Sequence, residues 1–480
     1  MPRRARDAPQ DLPKPMTVEE CRLPAAGLPL TPFEEHMLVD DRRSHPMVIE
    51  ARFDFSGGPP PAALAAAFAE TLREEPLLTA RIVRRGGGYR WVPTEPPQLV
   101  WGASGAGGGA GSSAAVLDPL GGPQMHAAVI EHADGWSLQV VVHHAACDGL
   151  GLVGFMERWL LRATGRTGRR ERAAADVLAT LAGRDRVTTS WGSFVRMLPK
   201  LSVGLQGIRQ FVSRRLLSLD AAGAESGRDA VATITAATLD AEVLDGLERA
   251  AKQAGCMVND LLATAVITVL GDLAERGPAE RDPDGWIRLG VPMSLRTKSD
   301  HLLPAANRVS MVFLDRMPAD RLDRGQLLQG VRGEMELIRS HHLGHIFPLT
   351  LRAFRRLPGG LRRHSARPET QTTAVFSNLG RCFHRSPLLD EQGRVRVGDC
   401  RLESWWIVPP IRPGTALAFA THETCGRRTL ACRAAGARFS AADLEGILAS
   451  VAGLLRDAAR AVADTDSTPT DGPCDDRLPG

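Results

Sequence analysis

The chain has no Gly-x-Ser-x-Gly segment and no Gly-Lys-Ser/Thr loop, which removes the nucleophile-elbow hydrolases and the P-loop nucleotide hydrolases. It has no Cys-x-x-Cys pair and no Cys/His cluster at zinc spacing. Its cysteines (Cys21, Cys147, Cys256, Cys382, Cys400, Cys425, Cys432 and Cys474) are scattered, so they are read as reduced thiols, with no metal assigned. Excess charge of one sign is also missing. Lys and Arg number 59 against 55 Asp and Glu, a net +4 that argues against a nucleic-acid partner and makes any basic site a local one. No apolar segment follows MPRRARDAPQDLPKP, and no window has the apolar run of a membrane helix. A cytoplasmic protein without an integral membrane segment is expected.

What is present begins with size. A chain of 480 residues with 43% apolar content exceeds one ordinary core, so two packed lobes are expected. Residues 1–15 and 467–480 lack periodicity and are expected to be disordered tails, and GASGAGGGAGSSAA (102–115) reads as a loop with little to bury. In the first half, 47–55 reads as a strand and 59–76 as a helix with Leu64, Phe68 and Leu72 on one face; 124–132 and 137–144 form a hairpin leading into a helix over 150–163. In the second half, a strand at 232–240 precedes a helix carrying Val243, Leu244, Leu247 and Ala251 and stopped by Gly255. Asn259 is expected to cap the next helix and Ser440 the last one, with strands at 286–293, 308–315, 373–379, 405–411 and 428–434 between them. The composition of elements is mixed α/β.

The most informative segment is HHAACDG (143–149), which fits His-His-x-x-x-Asp-Gly at the end of a β-branched strand. Neighbouring side chains along a strand face opposite sides, so only one histidine can enter a given cleft. His144 is the candidate base: a neutral imidazole there can take a proton from a hydroxyl or amine attacking a thioester. Asp148, so near in sequence, is read as fixing the turn through an ion pair rather than as a general acid or triad member. The overlapping GLGLVG (149–154) matches the dinucleotide fingerprint, but the basic, helix- or loop-like stretch 161–176 stands where a strand ending in an acid should follow.

HHAACDG resembles the active-site motif of the chloramphenicol acetyltransferase-like superfamily, especially condensation domains of nonribosomal peptide synthetases and their free-standing relatives. LPLTPFEEHMLVDD (28–41), EEPLLTARIVRR (74–85), VLDPLGGPQMHAAVI (116–130), CMVNDLLATAV (256–266), GVPMSLR (290–296) and NRVSMVFL (307–314) are similar to segments of that superfamily and of bacterial wax ester synthases, and the likeness spans about residues 25–460. It implies two chloramphenicol acetyltransferase-like α/β lobes in a V-shaped pseudo-dimer with a tunnel between them: residues 16–175 with the His motif, a helical connector 176–229, and residues 230–466. His144 would sit mid-tunnel, with His143, Asp148, Gly149 and Arg296 as motif support and Arg296 paired with Asp148 across the junction.

FSNLGR (376–381) falls where condensation domains often carry Asp-Phe-Gly-x-Gly and free-standing members Ser-Asn-x-Gly, which makes Ser377 and Asn378 candidates to steady the cleft or an oxyanion. The Pro-Leu-Trp segment of wax ester synthases is replaced by LDPLGGP, which departs from the lipid-synthase pattern.

The implied activity is transfer of an acyl group from a coenzyme A or phosphopantetheinyl carrier thioester to a small alcohol or amine acceptor, in secondary metabolism. It needs no tightly bound cofactor, and an acyl carrier protein would act in trans. The alternative is a non-catalytic condensation-like module that recruits a carrier protein or assembly partner. Two windows contain no acid, 186–219 and 341–368. In the second, Arg355, Arg356, Arg362 and Arg363 are candidates to dock donor phosphates or an acidic carrier, against a solvated face in peripheral contact with anionic lipid.

Overall fold

The alternating and fully apolar runs of the two halves pair into two six-stranded mixed sheets. A computed structural model of the chain describes residues 23–103, 117–166, 174–186, 213–219, 232–276, 285–365, 371–434 and 439–466. Both expected tails, most of the Gly/Ala/Ser-rich loop and most of the expected connector lie outside these residues.

The first sheet runs in the order Arg396–Val397, Cys400–Val408, Val48–Ser56, Gly135–His143, Met125–His132, Leu99–Ala103. All its pairs are antiparallel except the last, where Leu99–Ala103 lies parallel to Met125–His132. Helices Leu64–Leu72 and Gly149–Ala163 cover one face, where Phe68, Phe155 and Trp159 interlock with ring centroids 4.6 to 6.2 Å apart. The expected helix 59–76 is shortened, because the prolines before it stay outside Leu64–Leu72.

The second sheet runs Val309–Arg316, Ile287–Ser294, Ala374–Arg381, Leu417–Thr424, Arg427–Ala434, Thr233–Leu239. Its central strand, Ala374–Arg381, is parallel to both neighbours. Helices Ala241–Gln253, Val258–Glu275 and Ala441–Asp466 pack on it, and Ser440 caps the last in a reciprocal box with Asp443. Asn259 does not cap its helix. Val258–Glu275 starts two residues earlier than a cap at 259 requires, with Met257 at the cap position, and Asp260 accepts the backbone N–H of Met257 at 3.0 Å. No single helix among the described residues is long and apolar enough to cross a membrane.

The halves are not separate in space. Strand Cys400–Val408 belongs to the second half of the chain but extends the first sheet beside Val48–Ser56. At the seam Val408, Ile234 and Ala431 form their own apolar cluster with Trp406 against it. Beside them Arg433 of the second sheet donates to Val48 O at 3.1 Å and faces Glu50 of the first sheet at 3.5 Å, both residues almost fully buried. A carboxylate and a guanidinium desolvated together tolerate removal of one partner poorly. Arg433→Met is expected to lower unfolding free energy in denaturant titrations by about 3 kcal/mol or more. Glu50→Leu combined with Arg433→Met should recover much of that loss, and a single-variant cost under about 1 kcal/mol would show that the pair is solvated.

Candidate active site

His143 is the last residue of strand Gly135–His143, and His144 follows as the chain turns toward helix Gly149–Ala163. The pleat sends the two imidazoles apart. His143 is fully buried: its Nδ1 accepts the backbone N–H of Ala145 at 3.2 Å, and its Nε2 faces Asp41 at 3.7 Å. His144 is partly exposed, anchored by its own N–H to Met47 O at 2.7 Å and set edge-on to Phe33 with centroids 5.6 Å apart.

His144 Nδ1 lies 3.1 Å from the carbonyl oxygen of Cys147. A carbonyl only accepts, so Nδ1 carries the proton and Nε2 holds the lone pair. Burial lowers the His144 pKa below its ordinary 6.5, and the attraction of Asp148 opposes this only in part, so the neutral ring is favoured. Cys147 serves through its backbone. Its buried thiol is pushed well above the ordinary range and stays protonated.

Asp148 does not touch the imidazole that a triad would require. Its Oδ1 caps helix Gly149–Ala163 by accepting from Gly151 N at 2.7 Å and takes a second bond from Arg296 Nη2 at 2.8 Å; Oδ2 accepts the backbone N–H of Arg308 at 2.8 Å. Burial works against the charge on Arg296 and Asp148 more than offsets it, leaving the Arg296 pKa raised. The expected pair across the junction is therefore present. The glycines have a mechanical role here. A Cβ on Gly149 would sit 3.2 Å from Leu379 Cδ2, and one on Gly151 would sit 3.2 Å from Ala306 O, Arg296 Nη2 and Asp148 Oδ1. The Gly-x-Gly spacing admits the crossing segments rather than a dinucleotide.

Two residues were not singled out in the sequence. Asn307 Nδ2 donates to His144 O at 2.9 Å and to Ala145 O at 2.7 Å, and Arg308 anchors Asp148 through its backbone while its guanidinium reaches the carbonyls of Arg184 and Arg186. Their signal was the Asn-Arg pair opening the strand in NRVSMVFL, directly after an apolar loop.

Ser377 is half-buried in strand Ala374–Arg381, paired with Ala420. Asn378 donates to Asn259 Oδ1 at 3.0 Å and accepts from Gly380 N at 2.9 Å, so its carboxamide braces the turn after the strand. The segment reaches the His motif through Leu379 against Gly149. The arginines of the second acid-free window divide. Arg355 binds Glu35 at 3.0 Å and Leu30 O at 3.1 Å, Arg362 bonds and overlies Tyr89, and Arg356 and Arg363 are exposed. In the first window, Arg214 stacks on Trp286 at 3.8 Å and binds Asp315; Arg196, Lys200 and Arg209 lie outside the described residues, as does Arg367 of the second window.

Three solved structures of matching architecture decide the fold. The trichothecene 15-O-acetyltransferase of Fusarium sporotrichioides superposes with a TM-score of 0.65 at 11% identity, covering 93% of this chain and 99% of that one. The epimerization domain from the third module of tyrocidine synthetase B gives 0.61 at 13%, with coverage of 93% and 99%. The first condensation domain of the calcium-dependent antibiotic synthetase, solved with a substrate analogue, gives 0.62 at 16%, with 90% and 96%. The chain has the condensation-domain fold. Its two α/β lobes are the pseudo-dimer of chloramphenicol acetyltransferase-like proteins. No protein-family model and no curated protein sequence matches the chain.

Because Asp148 and Arg296 share one hydrogen bond across the condensation-fold junction, Asp148→Ala and Arg296→Ala should each destabilise the protein, and the double variant should lose less than their sum by at least ~0.5 kcal/mol in denaturant titrations. Strict additivity would contradict the contact. Asn307→Ala leaves two carbonyls without their donor and is expected to cost ~1–3 kcal/mol in the same measurement.

Proposed function

We propose that this chain is an acyltransferase that moves an acyl group from a thioester to a small alcohol or amine acceptor, with His144 as general base. The observation that carries the proposal is the tautomer of His144, whose Nδ1–H is tied to Cys147 O so that the basic Nε2 is left for the acceptor. In this reaction Nε2 takes the acceptor's proton as its oxygen or nitrogen attacks the thioester carbonyl. The tetrahedral intermediate then expels the thiolate, which recovers the proton from the imidazolium. The acceptor and donor reach His144 from opposite ends of a passage between the lobes. Asp148, Arg296 and Asn307 position the loop without exchanging protons.

The names of the neighbours support this class of chemistry. They include an O-acetyltransferase, and a starter condensation domain solved with an eight-carbon acyl coenzyme A, which matches at 15% identity with a TM-score of 0.60 over 92% of this chain and 97% of that one. In this reading the donor is a coenzyme A or carrier-bound thioester.

The test is acceptor-dependent thiol release from acyl-coenzyme A and acyl-carrier donors. His144→Ala should lower the rate about 100-fold or more with the thermal transition retained. Burial depresses the His144 pKa, so the base keeps its lone pair at a pH below that at which a free imidazole loses it. The acid limb of kcat/KM should therefore fall below pH 6.5, and a limb above it would contradict a desolvated imidazole. Full activity in His144→Ala removes the assignment; no thiol release with any donor leaves the chain a binding module.

A further inference from the structure

Residues 303–308 come from the second half of the chain but lie in the core of the first lobe. Leu303, Ala305 and Ala306 are buried in the same apolar cluster as Leu77, Leu152 and Phe155. The segment suits that place, since two alanines give a backbone without bulk and Pro304 has no N–H to leave unpaired. Its other backbone groups need partners. Ala305 N–H donates to Glu75 Oε2 at 2.5 Å, Ala306 O accepts from Asp148 N–H at 3.4 Å and from Arg296 Nη2 at 2.9 Å, and Arg308 N–H donates to Asp148 Oδ2 at 2.8 Å. Asn307, which holds the carbonyls of His144 and Ala145, is thus gripped by Asp148 on one side and, two residues earlier, by Glu75.

Glu75 is fully buried in the turn after helix Leu64–Leu72, where its N–H donates to Leu72 O and its carbonyl accepts from Leu78 N–H. Its second carboxylate oxygen pairs with Arg158 of helix Gly149–Ala163. Gly154, the last glycine of GLGLVG, leaves that guanidinium room, because an added Cβ would lie 3.3 Å from Arg158 Nη1. One carboxylate therefore joins the turn at 75, the motif helix and the inserted segment of the other lobe. Burial, and then the charges of Asp148 and Glu75, push the Cys147 thiol up, so Glu75 also stands within electrostatic reach of the turn whose Cys147 carbonyl holds His144.

Glu74 provides a comparison within the same turn. It pairs with Arg162, one helical turn beyond Arg158, and among the described residues it makes no hydrogen bond to 303–308. Both pairs fasten the motif helix to the turn, but of the two only Glu75 also grips the second lobe.

We infer that Glu75 is a positioning residue for His144, acting through the Ala305 N–H and the short link to Asn307. Two residues span at most ~7 Å, so a shift at Ala305 is passed to Asn307 almost undiminished. Without Glu75 the Ala305 N–H is buried with no acceptor, and the segment must move to satisfy it. The catalytic consequence rests on the acyl-transfer proposal. The coupling from residue 75 to residues 143–149 is measurable without turnover.

Two double variants remove the same buried ion pair and differ in one acceptor. In Glu75→Gln with Arg158→Met the amide oxygen still accepts the Ala305 N–H, and in Glu75→Met with Arg158→Met nothing does; removing both charges avoids a buried, unpaired guanidinium. The methionine pair is expected to have a kcat about 10- to 100-fold below that of the glutamine pair, the effect of misplacing a catalytic group by about 1 Å. KM should stay within about threefold, as for an interaction that matters in the transition state rather than in binding. Glu74→Met with Arg162→Met should lower the thermal transition yet keep kcat within about threefold of wild type. Glu75→Asp, which keeps the charge but withdraws it by one methylene, is the milder variant and should show the same changes in smaller degree.

Hydrogen exchange read by mass spectrometry needs no substrate. Peptides covering 143–149 and 303–308 should exchange faster together, by about tenfold or more, in the methionine pair than in the glutamine pair, and should not do so in the Glu74 pair. Equal kcat and equal exchange in the two Glu75 pairs overturn the assignment, and so does an equal loss of kcat in the Glu74 pair, which would reduce the effect to anchoring of the helix. Faster exchange at 143–149 with an unchanged kcat overturns the positioning role and leaves the acyl-transfer reading in place. If wild type releases thiol from no donor, the acyl-transfer reading falls, and exchange alone decides whether Glu75 holds the histidine loop.

Discussion

The Asp148 carboxylate is the point on which the rest of the site depends. One oxygen caps the helix that follows the motif and meets Arg296, and the other accepts the N–H of Arg308, so a single residue fixes a helix start and two segments from the other lobe. Those segments in turn hold the histidine loop, because Asn307, one residue before Arg308, supplies the carboxamide that secures the carbonyls of His144 and Ala145. His144 is thus positioned from both halves of the fold. Its direct partner, the Cys147 carbonyl, belongs to the same four-residue turn and is immobilised with it.

The junction of the lobes repeats one electrostatic arrangement. Glu35, Asp40, Glu50 and Asp148 come from the first half, and their partners Arg355, Arg412, Arg433 and Arg296 all come from the second. Pairs of this kind, largely withdrawn from water, fix which surfaces meet more than they add stability, since desolvation consumes much of the Coulombic gain. Apolar closure accompanies them where Leu379 packs on Gly149 and Val408 on Ile234 and Ala431.

Much of the secondary structure was legible because its periodicities are strong. Strands expected at 124–132 and 428–434 occur as Met125–His132 and Arg427–Ala434, and Gly255, with φ near 60°, ends Ala241–Gln253 as a left-handed stop. Strand Leu417–Thr424 escaped notice since seven of its eight residues are buried, and a strand covered on both faces shows no alternation. Helix Pro32–Asp40 carried a readable signal that went unused: Thr31 and Glu34 form the reciprocal capping box that their spacing implies.

At the site, the sequence alone determined that one of two adjacent histidines would be set apart from the other, because the alternation of a strand is local geometry, and that an Asp and a Gly four and five residues beyond His144 would shape the following turn. It did not determine which segment would hold the carbonyls of the histidine loop, which arginines would be committed to internal carboxylates, or that a strand near residue 400 would complete the first sheet. Those outcomes depend on contacts between residues separated by more than a hundred positions, such as Asn307 with His144, Arg355 with Leu30 and Trp405 with Phe53. Local propensity contains no information about such pairs, and only the packing of the two lobes brings them within hydrogen-bonding or van der Waals reach.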